Sequence, residues 1–236
     1  MVMKRVNKYV FAVFLLSVTA AVEAQNTTIE ADIVSQYIWR GQDLGDVSLQ
    51  PSLGIDYNGW SLTAWGNVGL SEPHDTEEFD LTLSYSAGGF NIGITDYWFN
   101  TGLDPKNRYF KYDAHGTNHV FEANISYDFG PLSLQWFTNI TGNDGVNKDG
   151  KRAYSSYFEA NIPFTLATVD WAASIGFVPF ATTFYDTSGF AVTNLSLRAT
   201  KDIKVTETFS IPIFGQITAN PRAQKAYLVF GITLQP

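Results

Sequence analysis

Cysteine is absent from the 236 residues. No disulfide can hold this chain together, and no lipid can be attached through a cysteine. Histidine is scarce, at three residues, and bases are outnumbered: 15 Lys and Arg face 23 Asp and Glu, for a net charge of −8. A surface of that sign repels phosphate backbones, which argues against nucleic acid as a partner. Helical periodicity is nearly missing. So are a phosphate-cradling glycine loop and any serine placed as a nucleophile, and no cofactor is implied.

What is present begins at the N-terminus. Lys4, Arg5 and Lys8 precede an almost unbroken apolar run from Tyr9 to Ala21, and Val22-Glu23-Ala24 supplies small residues for cleavage after Ala24. The run is shorter than the roughly 20 residues of a spanning helix. Residues 1–24 are expected to be a secretory signal peptide and 25–236 a single β domain. Residues 1–24 hold three of the bases and one of the acids, so the exported chain is more acidic still.

Beyond residue 25, apolar and polar residues alternate in segments of about ten residues, the length of a transmembrane strand. In the first, Ile29, Ala31, Ile33, Tyr37 and Trp39 oppose Glu30, Asp32, Gln36 and Arg40. In the sixth, Phe121, Ala123, Ile125 and Tyr127 oppose Glu122, Asn124, Ser126 and Asp128. Alternation alone fits any half-buried antiparallel sheet. The connections discriminate, because tight links such as YNGW, SAGG and FGP alternate with long polar ones such as GQDLGDVS and GNDGVNKDGKR. That pattern predicts an all-β, antiparallel up-and-down transmembrane barrel of about 12 strands, with short turns on the periplasmic side and long loops outside. Tyr57, Trp60, Tyr85, Phe90, Tyr127 and Phe129 fall beside tight links, and Tyr37, Trp39 and Trp98 near long ones, as two aromatic girdles would require.

On this register Trp39 faces lipid at the outer interface, Arg40 faces the lumen, and Gly41 starts the first outer loop. Residues 33–69 also resemble the start of the TorF-like family of outer-membrane porins. The resemblance rests on Val34-Ser35-x-Tyr37, the pair Arg40-Gly41, Gln50-Pro51 in inverted order, and Asp56-Tyr57 ahead of a glycine turn. It implies an outer-membrane barrel and brings neither an agreed substrate nor catalytic residues.

The rows further assign Glu30, Asp32, Asp56, Asp80, Glu122, Asp128, Glu159 and Asp170 to the lumen, against Arg40, Arg198 and Lys225. Arg40 is expected to pair with Asp56. The acid excess predicts a preference for cations. His74, His115 and His119 are all expected in long loops; His115 and His119 are four apart, but YDAHGTNH carries turn signals that argue against a helical metal site. GVNKDG has Asn147, Asp149 and Gly150 spaced like half a calcium loop, yet Gly145 and Ser156 stand where carboxylates are needed, so it reads as a hairpin tip. The expectation is therefore a passive channel for small polar solutes or ions in the bacterial outer membrane, its partners being lipid and solute, with no enzyme activity. Tyr109, Phe110 and Tyr112 make one loop aromatic enough to fold inward as a plug or to present a binding surface. A plugged barrel serving as anchor or binding protein is the alternative, and a barrel enzyme a lesser one.

Overall fold

A computed structural model describes residues 26–71, 76–101, 104, 106–113, 116–207 and 209–236. The expected signal segment, His74 and His115 lie outside the described residues. The strands are β1 (Asn26–Val34), β2 (Tyr37–Trp39), β3 (Gln42–Gly45), β4 (Ser48–Tyr57), β5 (Trp60–Gly69), β6 (Thr76–Ala87) and β7 (Phe90–Thr101). They continue as β8 (His119–Asp128), β9 (Ser133–Gly142), β10 (Ser156–Leu166), β11 (Val169–Val178), β12 (Ala191–Lys204), β13 (Ser210–Asn220) and β14 (Lys225–Leu234). Twelve of these close an antiparallel barrel, in which β1 seals the wall between β4 and β14. Strands β2 and β3 pair only with each other.

Closure leaves no unpaired edge, so a chain without disulfides can still satisfy its wall backbone. The tight links sit at one end. Asn58-Gly59, Gly88-Gly89 and Ala167-Thr168 join neighbouring strands with positive φ at both positions. Those angles match the right-handed twist of a two-residue hairpin. The long connections gather at the opposite end.

The molecule is apolar outside. Leu53, Ile55, Leu62, Leu83, Ile92, Ile94, Ile125, Ile162, Ile175, Leu197, Ile213 and Leu228 are all exposed, while Asn67, Glu78, Asp80, Glu122, Asn139 and Thr218 are buried. An apolar belt of this extent exceeds what a soluble monomer shows and suits contact with hydrocarbon. Within the barrel, apolar clusters are small: Val34, Phe214 and Val229 form one, and Tyr157, Val178 and Tyr185 another.

The first strand departs from its expected course. Alternation predicts a strand reaching Arg40, but β1 ends at Val34 and the chain bends at Ser35 and Gln36. Ser35 is the last residue held to the wall: its N–H donates to the Phe230 carbonyl at 2.8 Å, and its Oγ accepts from the Phe230 N–H at 2.9 Å. After that the chain turns inward as the β2–β3 hairpin. Arg40 (φ 51°) and Gly41 (φ 79°) form its two-residue turn, with Trp39 paired to Gln42. This corrects the placement of Tyr37 and Trp39 in an outer girdle. The period-2 row holds only while the strand stays in the wall, and two bent residues reset it.

Candidate functional site: a hairpin across the lumen

The inward register is continuous around the wall. It pairs Asp32 with Gln50, Glu30 with Ser52 and Asp56 with Ser61. It goes on through Trp65 beside Asp80, Thr95 beside Glu122, and Asp128 beside Ser133. Glu159 beside Gly176, Asp170 beside Thr200, Arg198 beside Gln216 and Lys225 beside Asn220 complete it. All share the face that meets the hairpin. Several carboxylates have neutral donors: Asp32 accepts from Thr233 at 2.6 Å, Asp170 from Thr165 at 2.9 Å, and Glu159 from Tyr157 and, at 3.1 Å, from Asn194.

Arg40, at the hairpin turn, is the centre of the arrangement. Its two terminal nitrogens grip Glu122 in a bidentate pair, Nη1 to Oε2 at 2.6 Å and Nη2 to Oε1 at 2.8 Å. Nη1 also donates to the Tyr185 hydroxyl at 2.6 Å. The guanidinium lies 4.3 Å from the Trp39 ring centre, 4.1 Å from that of Phe137 and 4.7 Å from that of Tyr157. A delocalised cation is suited to aromatic faces and to a planar carboxylate at once. Burial by itself would lower the pKa of Arg40, but the Glu122 carboxylate and Tyr185 outweigh it and hold the group well above its ordinary value. The pairing corrects the expected partner, because Asp56 lies at the short-turn end of β4 while Arg40 meets β8.

Other anchors fix the hairpin on several sides. Tyr37 donates to Glu78 Oε2 at 2.9 Å and lies against Trp65, ring centres 5.7 Å apart. Trp39 packs edge-on against Tyr97 and Phe184 and stacks with Tyr185. Asn220 donates to the Gly41 carbonyl at 3.0 Å. The hairpin thus touches β5, β6, β7, β8, β9, β10, β12 and β13, and the connection after β11. Glu78 was within reach of sequence reading, since it shares the even row of Asp80. Tyr185 was not: it sits in an irregular connection whose inward course no periodicity announces.

The hairpin divides the interior. Between it and the wall is a cavity of about 100 Å³ lined by Asp32, Gln50, Tyr37, Arg198, Gln216 and Val229 among others. Arg198 lies 3.5 Å from the Phe214 ring centre there. A second cavity, about 330 Å³, lies at the long-loop end between Phe99, Thr101, Asp104, Asn107, Asn118 and Phe184. Toward the short turns the inward rows carry small residues, the hydroxyl-bearing Ser52, Ser61, Thr63 and Ser84 and the glycines Gly54 and Gly93.

The aromatic loop does not plug the lumen. Phe79, Trp98 and His119 are paired neighbours on the outward face, which continues through Leu83, Ile94 and Ile125. Tyr109 packs edge-on against all three of those first residues, at 5.4, 5.7 and 5.2 Å between ring centres. The loop therefore lies on the outside of the wall, where it covers aromatic rings and the outward Asp96. Of the two roles expected for Tyr109, Phe110 and Tyr112, inward plugging is corrected. His119 is likewise not a loop residue but the first of β8, its ring set between Asp96 and the Tyr109 carbonyl. Removing residues 108–112 is expected to leave single-channel conductance unchanged and to lower the melting temperature, since it strips cover from Asp96; both are measurable on one purified variant.

Asn147 stands at a hairpin tip, where its Oδ1 accepts from the Asp149 and Lys151 backbone N–H groups. An Asx turn accounts for its spacing.

No family model matches the chain, and no curated protein matches it. Among solved structures, it is similar to the NanC porin at 8% identity, over 88% of this chain and 98% of that one, with a TM-score of 0.44. It is similar to the outer membrane protein opdK from Pseudomonas aeruginosa at 9% identity, over 91% and 67%, with a TM-score of 0.39. It is also similar to the COG4313 outer membrane channel from Pseudomonas putida F1 at 12% identity, over 92% and 97%, with a TM-score of 0.39. Identities this low leave function to the geometry of the chain itself.

Proposed function

We propose that this chain is a porin-like outer-membrane channel for small polar solutes and ions, narrowed by its own first long connection. The observation that carries the reading is the β2–β3 hairpin, anchored in the lumen by Arg40 and Glu122, with a small-residue polar wall beyond it. An anchor or scaffold barrel needs no such built constriction. Export through residues 1–24, cleavage after Ala24 and membership of the TorF-like porins belong to the same reading. The exposed apolar belt supports a bilayer as its solvent.

Cation preference follows from the inward charges. Arg40 is occupied by Glu122, so the inward Glu30, Asp32, Asp56, Asp128, Glu159 and Asp170 outnumber Arg198 and Lys225. Lumen acids raise the local concentration of cations. A closed barrel with a binding role is the second reading, favoured by the number of sides on which the hairpin is held.

Planar-bilayer recording separates the two. Wild-type protein is expected to give small, cation-selective unitary steps, and replacing residues 36–46 with a Gly-Ser linker should enlarge them severalfold. A silent wild type with a conducting linker variant would favour the closed barrel; silence in both would sink the channel reading. Orientation is checked on intact cells. An added protease should cut near Asn147 to Lys151 and spare Tyr57 to Trp60.

A further inference from the structure

The loop on the outer wall is fixed on its inner side by an unusual cluster. His119 is fully buried, with Nδ1 2.7 Å from Asp96 Oδ1 and Nε2 at the Tyr109 carbonyl. Nδ1 faces the Asp96 carboxyl group and Nε2 the Tyr109 carbonyl, so the ring ties the loop backbone to a polar group that would otherwise face the apolar belt. Tyr112 stacks on His119 at 4.1 Å and donates to Asp96 Oδ2 at 3.2 Å, while Trp98 Nε1 donates to Asn107 at 2.9 Å.

What this clamp presents to the outside is Phe110, 89% exposed, with Arg108 and Lys111 exposed beside it and Lys106 nearby. The grouping runs against the composition of an acidic chain. Nearby Asp104 is engaged with the Lys106 backbone N–H at 2.9 Å. An aromatic held outward at the rim of an apolar belt, between cations, has the chemistry of an interfacial anchor.

We propose that residues 106–112 dock on anionic lipid headgroups of the bilayer around the barrel: Phe110 enters the boundary between headgroups and acyl chains, and Arg108 and Lys111 pair with headgroup phosphates. The proposal rests on the membrane reading above. Charge complementarity and continuity with the exposed belt select lipid as the occupant.

The absence of cysteine allows a single spin label to be placed at will. Phe110→Cys, Leu83→Cys on the outward wall and Asp149→Cys at an exposed loop tip are labelled in separate preparations of the full barrel. Each is reconstituted in vesicles of phosphatidylcholine alone or mixed with phosphatidylglycerol. Oxygen accessibility relative to a water-soluble nickel complex reports depth. In the mixed vesicles the label at 110 is expected to approach the value at 83 and exceed that at 149. Each cation near an anionic surface adds about a fivefold preference, so the label should become more water-exposed in phosphatidylcholine alone and when Arg108→Gln and Lys111→Gln are added. A label at 110 as water-exposed as that at 149 in mixed vesicles overturns the docking. Equal depth in both vesicle types overturns the headgroup pairing, and water exposure at 83 overturns the membrane reading and the proposal with it.

Discussion

Arg40→Gln is expected to open the barrel. The substitution keeps a hydrogen-bonding amide but leaves Glu122, whose side chain is 2% exposed, without its cation. Breaking a buried pair by removing one partner costs about 3–5 kcal/mol, because the surviving charge is stranded away from water. The wall does not bear that cost, since the twelve-stranded ladder excludes residue 40. The seated hairpin does, and a change of about 3 kcal/mol shifts its seated-to-released ratio by roughly a hundredfold. Larger unitary conductance should result, together with stronger cation selectivity from the freed Glu122. Glu122→Gln should also enlarge conductance but move selectivity the other way, because the stranded group is then Arg40. Joining the two changes leaves neutral amides facing each other and should restore much of the closed conductance. Additive effects in that double variant would mean the pair is not the latch. Trp39→Gln is a further control. A lumen position predicts a conductance change from lost contact with Arg40, Tyr97 and Tyr185, whereas a lipid-facing residue would leave conductance alone.

Gly41→Val should release the same hairpin without touching a charge. Gly41 has φ +79°, and a Cβ there would overlap the Thr193 carbonyl oxygen of the wall. Neither side can yield cheaply, because the Cβ is fixed in place by the backbone of the hairpin turn and the oxygen belongs to the backbone of β12. Valine adds its own aversion to positive φ. The turn must withdraw, and with it goes the Asn220 bond to the Gly41 carbonyl. Conductance is expected to rise about as far as in the linker variant, with reversal potential near that of wild type, since lumen charges are unchanged. Gly88→Ala gives the contrast. Its φ is +57°, but nothing lies within 4 Å of the added carbon, so the penalty is backbone strain of about 1 kcal/mol in a short turn far from the hairpin. Bilayer recordings matching wild type for Gly41→Val would show that the hairpin is not the constriction.

The wall of this protein could be read from local sequence because each strand states its own two faces. Leu81, Leu83 and Tyr85 against Asp80, Thr82 and Ser84 identify which side meets the belt and which the lumen, whatever the neighbouring strand is. Paired glycine and asparagine signals mark the tight turns, since positive φ is demanded by the turn itself. From these alone follow an antiparallel barrel of twelve strands, the end with the long connections and the inward rows of acids. Arg40 could be assigned to the lumen although its strand was misread. What fills the lumen was decided only by tertiary structure. The hairpin turns inward because Ser35 ends its pairing at Phe230 and because a pocket made by Glu122, Phe137, Tyr157 and Tyr185 fits a guanidinium; these residues are 82 to 145 positions from Arg40. The aromatic loop met the opposite outcome for a similar reason: His119 and Asp96, meeting across β7 and β8, hold it to the outside. Alternation repeats every second residue and carries information over one strand. The choice between lumen and outer wall rests on partners brought together by closure, and no local pattern contains it.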